Sequence, residues 1–128
     1  MKVLLDTHVL LWAAGQPEKL SRKARKLLAD PDTVPVFSAA SLWEVVIKQG
    51  LGRHDFRVDA RQLRRGLLDN GYSELAVTSA HALALDDFLP LHRDPFDRML
   101  LAQSRVEGIT LLTADTLVLR YPGAVQKV

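Results

Sequence analysis

The chain has 128 residues, 48% of them hydrophobic and 25% charged, which corresponds to about one domain with enough apolar side chain to build its own core. It contains no cysteine, which excludes a disulfide scaffold, a thiolate zinc site, an iron–sulfur cluster and a cysteine nucleophile. Seventeen Lys and Arg against fifteen Asp and Glu leave a net charge of +2, too small to mark a nucleic-acid binder by itself.

In chain order, the first strand is read at 3–5. It is wholly apolar and stops at Asp6, the pattern of a strand buried on both faces of a parallel sheet. Asp6 and His8 interrupt the apolar start before it reaches the ~7 residues an export signal requires. The longest apolar run, 9–14, is far short of the ~20 residues needed to cross a bilayer. No membrane span is expected, and with its missing cysteines the chain reads as cytoplasmic. An amphipathic helix at 20–28 ends at Asp30-Pro31, and Lys19, Arg22, Lys23, Arg25 and Lys26 crowd around it. A strand at 34–37 leads into a helix at 39–49 that is apolar nearly all round. After an exposed connection comes a helix at 61–68, within a basic stretch of Arg53, Arg57, Arg61, Arg64 and Arg65, in which Arg57, Arg61 and Arg65 are spaced by four. Each basic cluster is either a stripe for phosphates or the solvated face of a surface helix. A strand at 75–77, helices at 79–85 and 95–106, and strands at 110–112 and 124–126 complete the series. Strands alternating with helices give an α/β domain with parallel pairing, expected to be a single domain over 1–128. In such sheets ligands bind outside the carboxyl ends of the strands.

Four acids stand in places that solvent does not explain. Asp6 ends the first strand, Asp115 follows the strand at 110–112, Glu44 interrupts the apolar helix, and Asp97 sits in the first turn of the helix opened by Asp94-Pro95. Local structure offers each an ordinary role. Asp6 and Asp115 are candidate N-caps, Ser41 with Glu44 and Asp94 with Asp97 are candidate capping boxes, and Glu44 can pair with Lys48 one turn on. Taken together they suggest more, because a helix as apolar as 39–49 puts Glu44 at the edge of a core, where an unpaired charge costs several kcal/mol. Asp97 has Leu101, not a base, four residues on. Were the four acids to share one rim, a divalent cation would be the natural means of keeping them ionised. All-oxygen donors favour Mg²⁺ or Mn²⁺ over zinc and suit phosphodiester hydrolysis by an activated water. Thr7, Ser38 and Thr113 add hydroxyls nearby, as turn residues also do.

The blocks Leu4-Leu5-Asp6-Thr7-His8, Ser41-Leu42-Trp43-Glu44 with Ile47-Lys48, His92-Arg93-Asp94-Pro95-Phe96-Asp97-Arg98 with Ala102-Gln103, and Leu112-Thr113-Ala114-Asp115 resemble, in this order, those of PIN-domain ribonucleases of the VapC toxin type. The resemblance implies a PIN-like three-layer α/β/α fold around a parallel sheet of about five strands. It further implies an Mg²⁺- or Mn²⁺-dependent endoribonuclease, usually a homodimer, silenced by a small VapB-like antitoxin whose tail covers the acidic groove. Under it Asp6 and Asp97 are direct metal ligands, Glu44 orients the water, and Asp115 acts through water or a second ion. Asp94 and Arg98 support Asp97.

Two other classes compete. A phospho-accepting receiver domain also gathers acids around Mg²⁺, but it needs adjacent acids after the first strand and a lysine after the last, whereas here Thr7-His8 follow Asp6 and no lysine lies between Lys48 and Lys127. A non-enzymatic binding module would use the acids only as caps. His8 and His92 are left out of the site, and Trp12 and Trp43 are read as core or interface before base-stacking platforms.

Overall fold

The computed structural model describes residues 1–52, 57–87, 94–120 and 123–128. His92 and Arg93, which open the third acidic block, and Arg53 of the second basic stretch lie outside the described residues. The strands are β1 (Lys2–Leu5), β2 (Val34–Ser38), β3 (Ser73–Leu75), β4 (Thr110–Thr113) and β5 (Val125–Lys127). The helices are α1 (Thr7–Gly15), α2 (Arg22–Ala29), α3 (Ala39–Gly50), α4 (Ala60–Asp69), α5 (Ser79–Ala84) and α6 (Pro95–Glu107). All pairings are parallel, and the sheet order is β3-β2-β1-β4-β5.

Side chains alternate across the sheet as its period of two requires. Val3, Leu5, Phe37 and Leu112 point to one face, where they pack with Val9 and Leu10 of α1, Ala24 of α2, and Leu63 and Leu67 of α4. Leu4, Val36 and Leu111 point to the other and meet Leu100, Leu101 and Ala102 of α6. Helices on both faces of one parallel sheet are the three-layer α/β/α arrangement expected from the alternation of elements. α3 links the layers, since its Val45 joins the first core while the helix also touches α6.

Several elements differ from the sequence reading, among them α2, which starts at Arg22 and not at 20 because Ser21 caps it. The run 9–14 is apolar all round and shows no helical contrast; α1 is fixed instead by its cap, Asp6, whose Oδ1 accepts from Val9 N at 2.8 Å. β3 lies two residues earlier than the apolar triplet 75–77 suggested. It is an edge strand whose Ser73 and Glu74 remain exposed, so apolar side chains do not mark it. β5 is displaced by one residue. Arg57 precedes the α4 cap Asp59, so the spacing-of-four series breaks there, and Arg64 is engaged by Glu74 at 2.9 Å.

The chain builds outward from β1 to β2 and β3, then crosses back to β4 and β5. The reversal falls between β1 and β4, and the crevice at the carboxyl ends of that pair is where α/β sheets bind ligands. A receiver-type sheet would run 2-1-3-4-5, and this order differs.

Candidate functional site

Asp6 sits at that reversal. Its backbone N–H continues the ladder to Leu112 O at 3.0 Å, which fixes the side chain between the ends of β1 and β4. One carboxylate oxygen caps α1, and the other accepts from the Thr113 hydroxyl. Thr113 Oγ1 in turn accepts from Asp115 N at 2.9 Å, so Asp115 and Asp6 are joined through one hydroxyl. Asp115 is not a cap of an α-helix; its Oδ1 accepts from Leu117 N at 2.8 Å in a turn. Burial holds the Asp6 carboxyl above the ordinary carboxylate value, against smaller opposing effects of the Thr113 hydroxyl, the Val9 N–H, the His8 charge and the Ala114 N–H. A cap alone would not require this, since caps function well at the solvent-exposed surface.

The next residue ties β1 to α3. Thr7 Oγ1 donates to Ser41 Oγ at 3.0 Å, both side chains being buried. The Ser41–Glu44 capping box is not formed, because α3 begins three residues earlier than such a box needs and is capped by Ser38, which accepts from Ala40 N at 3.0 Å. Ser41 is thereby released to meet Thr7, a role that local sequence does not signal, because the partner lies 34 residues away. Glu44 is 3% exposed. Its Oε2 pairs with Lys48 Nζ at 2.5 Å, the expected i,i+4 contact, and its Oε1 is buried with no hydrogen-bond partner among the described residues. Such an oxygen is costly unless something further faces it.

Asp94 caps α6, accepting from Phe96 N at 2.9 Å and Asp97 N at 3.4 Å, so it sets the turn that carries Asp97. Phe96 meets Trp43 edge to face with centroids 5.1 Å apart, and this ring pair joins the turns bearing Asp97 and Glu44. Arg98 Nε is buried without a partner among the described residues. The links therefore run from Asp115 through Thr113 to Asp6, from Thr7 to the Glu44 helix, and from that helix to the Asp97 turn. Among the described residues no three His, Asp or Glu side chains are already drawn together closely enough to hold a metal ion. The donor chemistry nevertheless fits a hard cation: the acceptors on offer are carboxylate and hydroxyl oxygens, burial of Asp6 outweighs the groups that favour its charge, and Glu44 Oε1 has no partner among the described residues. Among the described residues no helix is long and apolar enough to cross a membrane.

Comparison with known proteins gives a consistent picture. No curated protein matches the chain. Among solved structures it is similar to VapBC2 from Rickettsia felis, bound to a DNA fragment from the promoter, with a TM-score of 0.70 and 14% identity, covering 99% of this chain and 98% of that one. It is also similar to VapBC-1 from nontypeable Haemophilus influenzae, with a TM-score of 0.65 and 17% identity over 100% and 97% of the two chains. VapC20 of Mycobacterium tuberculosis, described as a sarcin-ricin loop cleaving toxin, matches with a TM-score of 0.60 and 17% identity over 94% and 96%. These likenesses are of fold. The model of the PIN domain matches residues 3–123, and the chain belongs to the PIN domain family.

Proposed function

We propose that this chain is the toxin of a VapBC-type pair, a single PIN domain over 1–128 that hydrolyses RNA phosphodiester bonds. The observation that carries this reading is the buried Asp6 at the sheet reversal, joined through Thr113 to Asp115 and raised in pKa by its burial. Family membership supports it, as do fold relatives solved as toxin–antitoxin complexes.

Asp6 and Asp97 are the direct oxygen donors for Mg²⁺ or Mn²⁺ in this reading, Glu44 orients the attacking water, and Asp115 acts through water or a second ion. The bound cation supplies a more acidic water and neutralises charge on the scissile phosphate. Thr113 holds Asp6 in its rotamer, Thr7 anchors α1 to the Glu44 helix, and Asp94 fixes the turn of Asp97. Arg98, with its buried Nε, is a positioning residue for the same turn. The protein acts as a homodimer in the cytoplasm, and a small VapB-like antitoxin covers the acidic groove.

Incubation with unpaired and structured RNA tests the proposal. Cleavage is expected with Mg²⁺ or Mn²⁺, arrest with chelator, and loss in Asp97→Asn with an unchanged circular dichroism spectrum. Chelator-insensitive cleavage, or a fully active Asp97→Asn, would sink it.

A further inference from the structure

Beside the acidic rim lies a groove that the catalytic reading leaves unused. It runs between α1 and α4 and encloses about 1090 Å³. Both helices lead from the carboxyl edge of the sheet toward its amino edge, since α1 follows β1 and α4 precedes β3. His8, two residues after Asp6 and with its charge facing that carboxylate, stands where the groove meets the rim. Further along come Trp12 and Tyr72, with Trp12 tilted against His8 at a centroid separation of 6.2 Å. Arg57 and Lys19 are the cations of the lining, and among the described residues neither is paired with an acid. The acid among the described lining residues, Asp59, is engaged as the α4 cap, accepting from Arg61 N at 2.9 Å and Gln62 N at 3.2 Å.

Aromatic faces between unpaired cations are what an unpaired nucleic-acid strand needs, because any base can stack and each flanking phosphate requires a positive partner. We propose that this groove binds unpaired nucleotides adjoining the scissile phosphate, with bases stacked on Trp12 and Tyr72 and phosphates held by Arg57 and Lys19. The inference rests on the nuclease reading, which supplies the RNA and fixes the cleaved bond beside Asp6. It assigns the groove a part in substrate choice that the acids do not have. Arg57 also borders a second cavity, lined by Arg61 and Arg64 as well, but Arg64 is engaged by Glu74 there and no aromatic residue is among the described lining.

The test measures binding of a short fluorescent unpaired RNA to the Asp6→Asn protein, in parallel with cleavage by the unaltered protein. In that background Trp12→Leu is expected to weaken binding about ten-fold, and Trp12→Phe to retain most of it. Arg57→Gln and Lys19→Gln, both at exposed positions that do not disturb folding, should each lower the slope of log affinity against log salt by about 0.7. In the otherwise unaltered protein the same changes should raise KM with kcat nearly constant. If the unaltered protein cuts RNA while all of these variants bind it as tightly as their parent, the groove proposal fails and the nuclease reading stands. If a co-expressed antitoxin protects the groove from labelling while RNA affinity stays unchanged, the groove is a protein dock and the proposal likewise fails. If the unaltered protein neither cuts nor binds RNA, both readings fall.

Discussion

Two regions of this molecule bury titratable side chains, and they treat them differently. Between α5 and α6, His81 is 1% exposed, yet its Nδ1 accepts from Thr78 N at 3.0 Å and its Nε2 faces Glu107 at 3.3 Å. Thr78 and His81 thus form a reciprocal capping box at the start of α5, and Gln103 reaches from α6 to Ala76 O at 3.3 Å. At the β1–β4 rim the buried groups are carboxylates: the His8 charge offsets the burial of Asp6 only in part, and among the described residues one oxygen of Glu44 has no partner. The first region meets the needs of its ionisable ring from within the chain, and in the second the described residues leave part of the carboxylate charge unmet. Burial alone does not mark a site; burial with unmet charge does.

The sharpest way to break this contrast is Asp6→Asn. RNA cleavage should fall more than about a thousand-fold, while the metal-free variant melts higher than its parent, because a buried carboxylate is replaced by a neutral amide. An active variant, or one that melts lower, would place Asp6 among ordinary caps. His81→Ala should do the reverse. It is expected to cost about 3 kcal/mol in denaturant unfolding, through a cavity and an unsatisfied Thr78 N–H, with cleavage per folded molecule unchanged. Lys48→Met tests the rim from its other side. Since the Lys48 side chain is 28% exposed, the loss should reach only about 1–2 kcal/mol, below that of a fully buried pair, and added Mg²⁺ should restore part of it. A loss indifferent to Mg²⁺ would make this pair purely structural.

The smallest effect concerns pH. The folded carboxyl of Asp6 titrates above its ordinary 3.8, so the native state holds its proton more firmly than the unfolded chain. Its contribution to stability is therefore full below the unfolded value and is lost as the pH rises through the folded one. The excess melting temperature of Asp6→Asn over its parent should accordingly be largest at neutral pH and shrink on acidification. A difference independent of pH would assign the gain to packing.

Much of this was legible in the residues. Short apolar runs marked β1, β2 and β4 because strands buried on both faces have nothing polar to alternate with. Glu44 stood out because its helix is otherwise apolar, and its pairing with Lys48 follows from one turn of spacing. What escaped depended on tertiary partners. α1 has no polar face to betray its period, and β3 is defined by pairing with β2 and not by its own side chains. The Thr7–Ser41 bond joins residues 34 apart, and nothing near either residue announces the other.

The bond from Thr113 to Asp6 spans 107 positions of the polypeptide. A ribosome must therefore deliver all of the chain between them before Asp6 acquires its hydroxyl, and contacts of such long range are slow to close. A rim assembled in this way stays incomplete until that whole stretch of chain has been made.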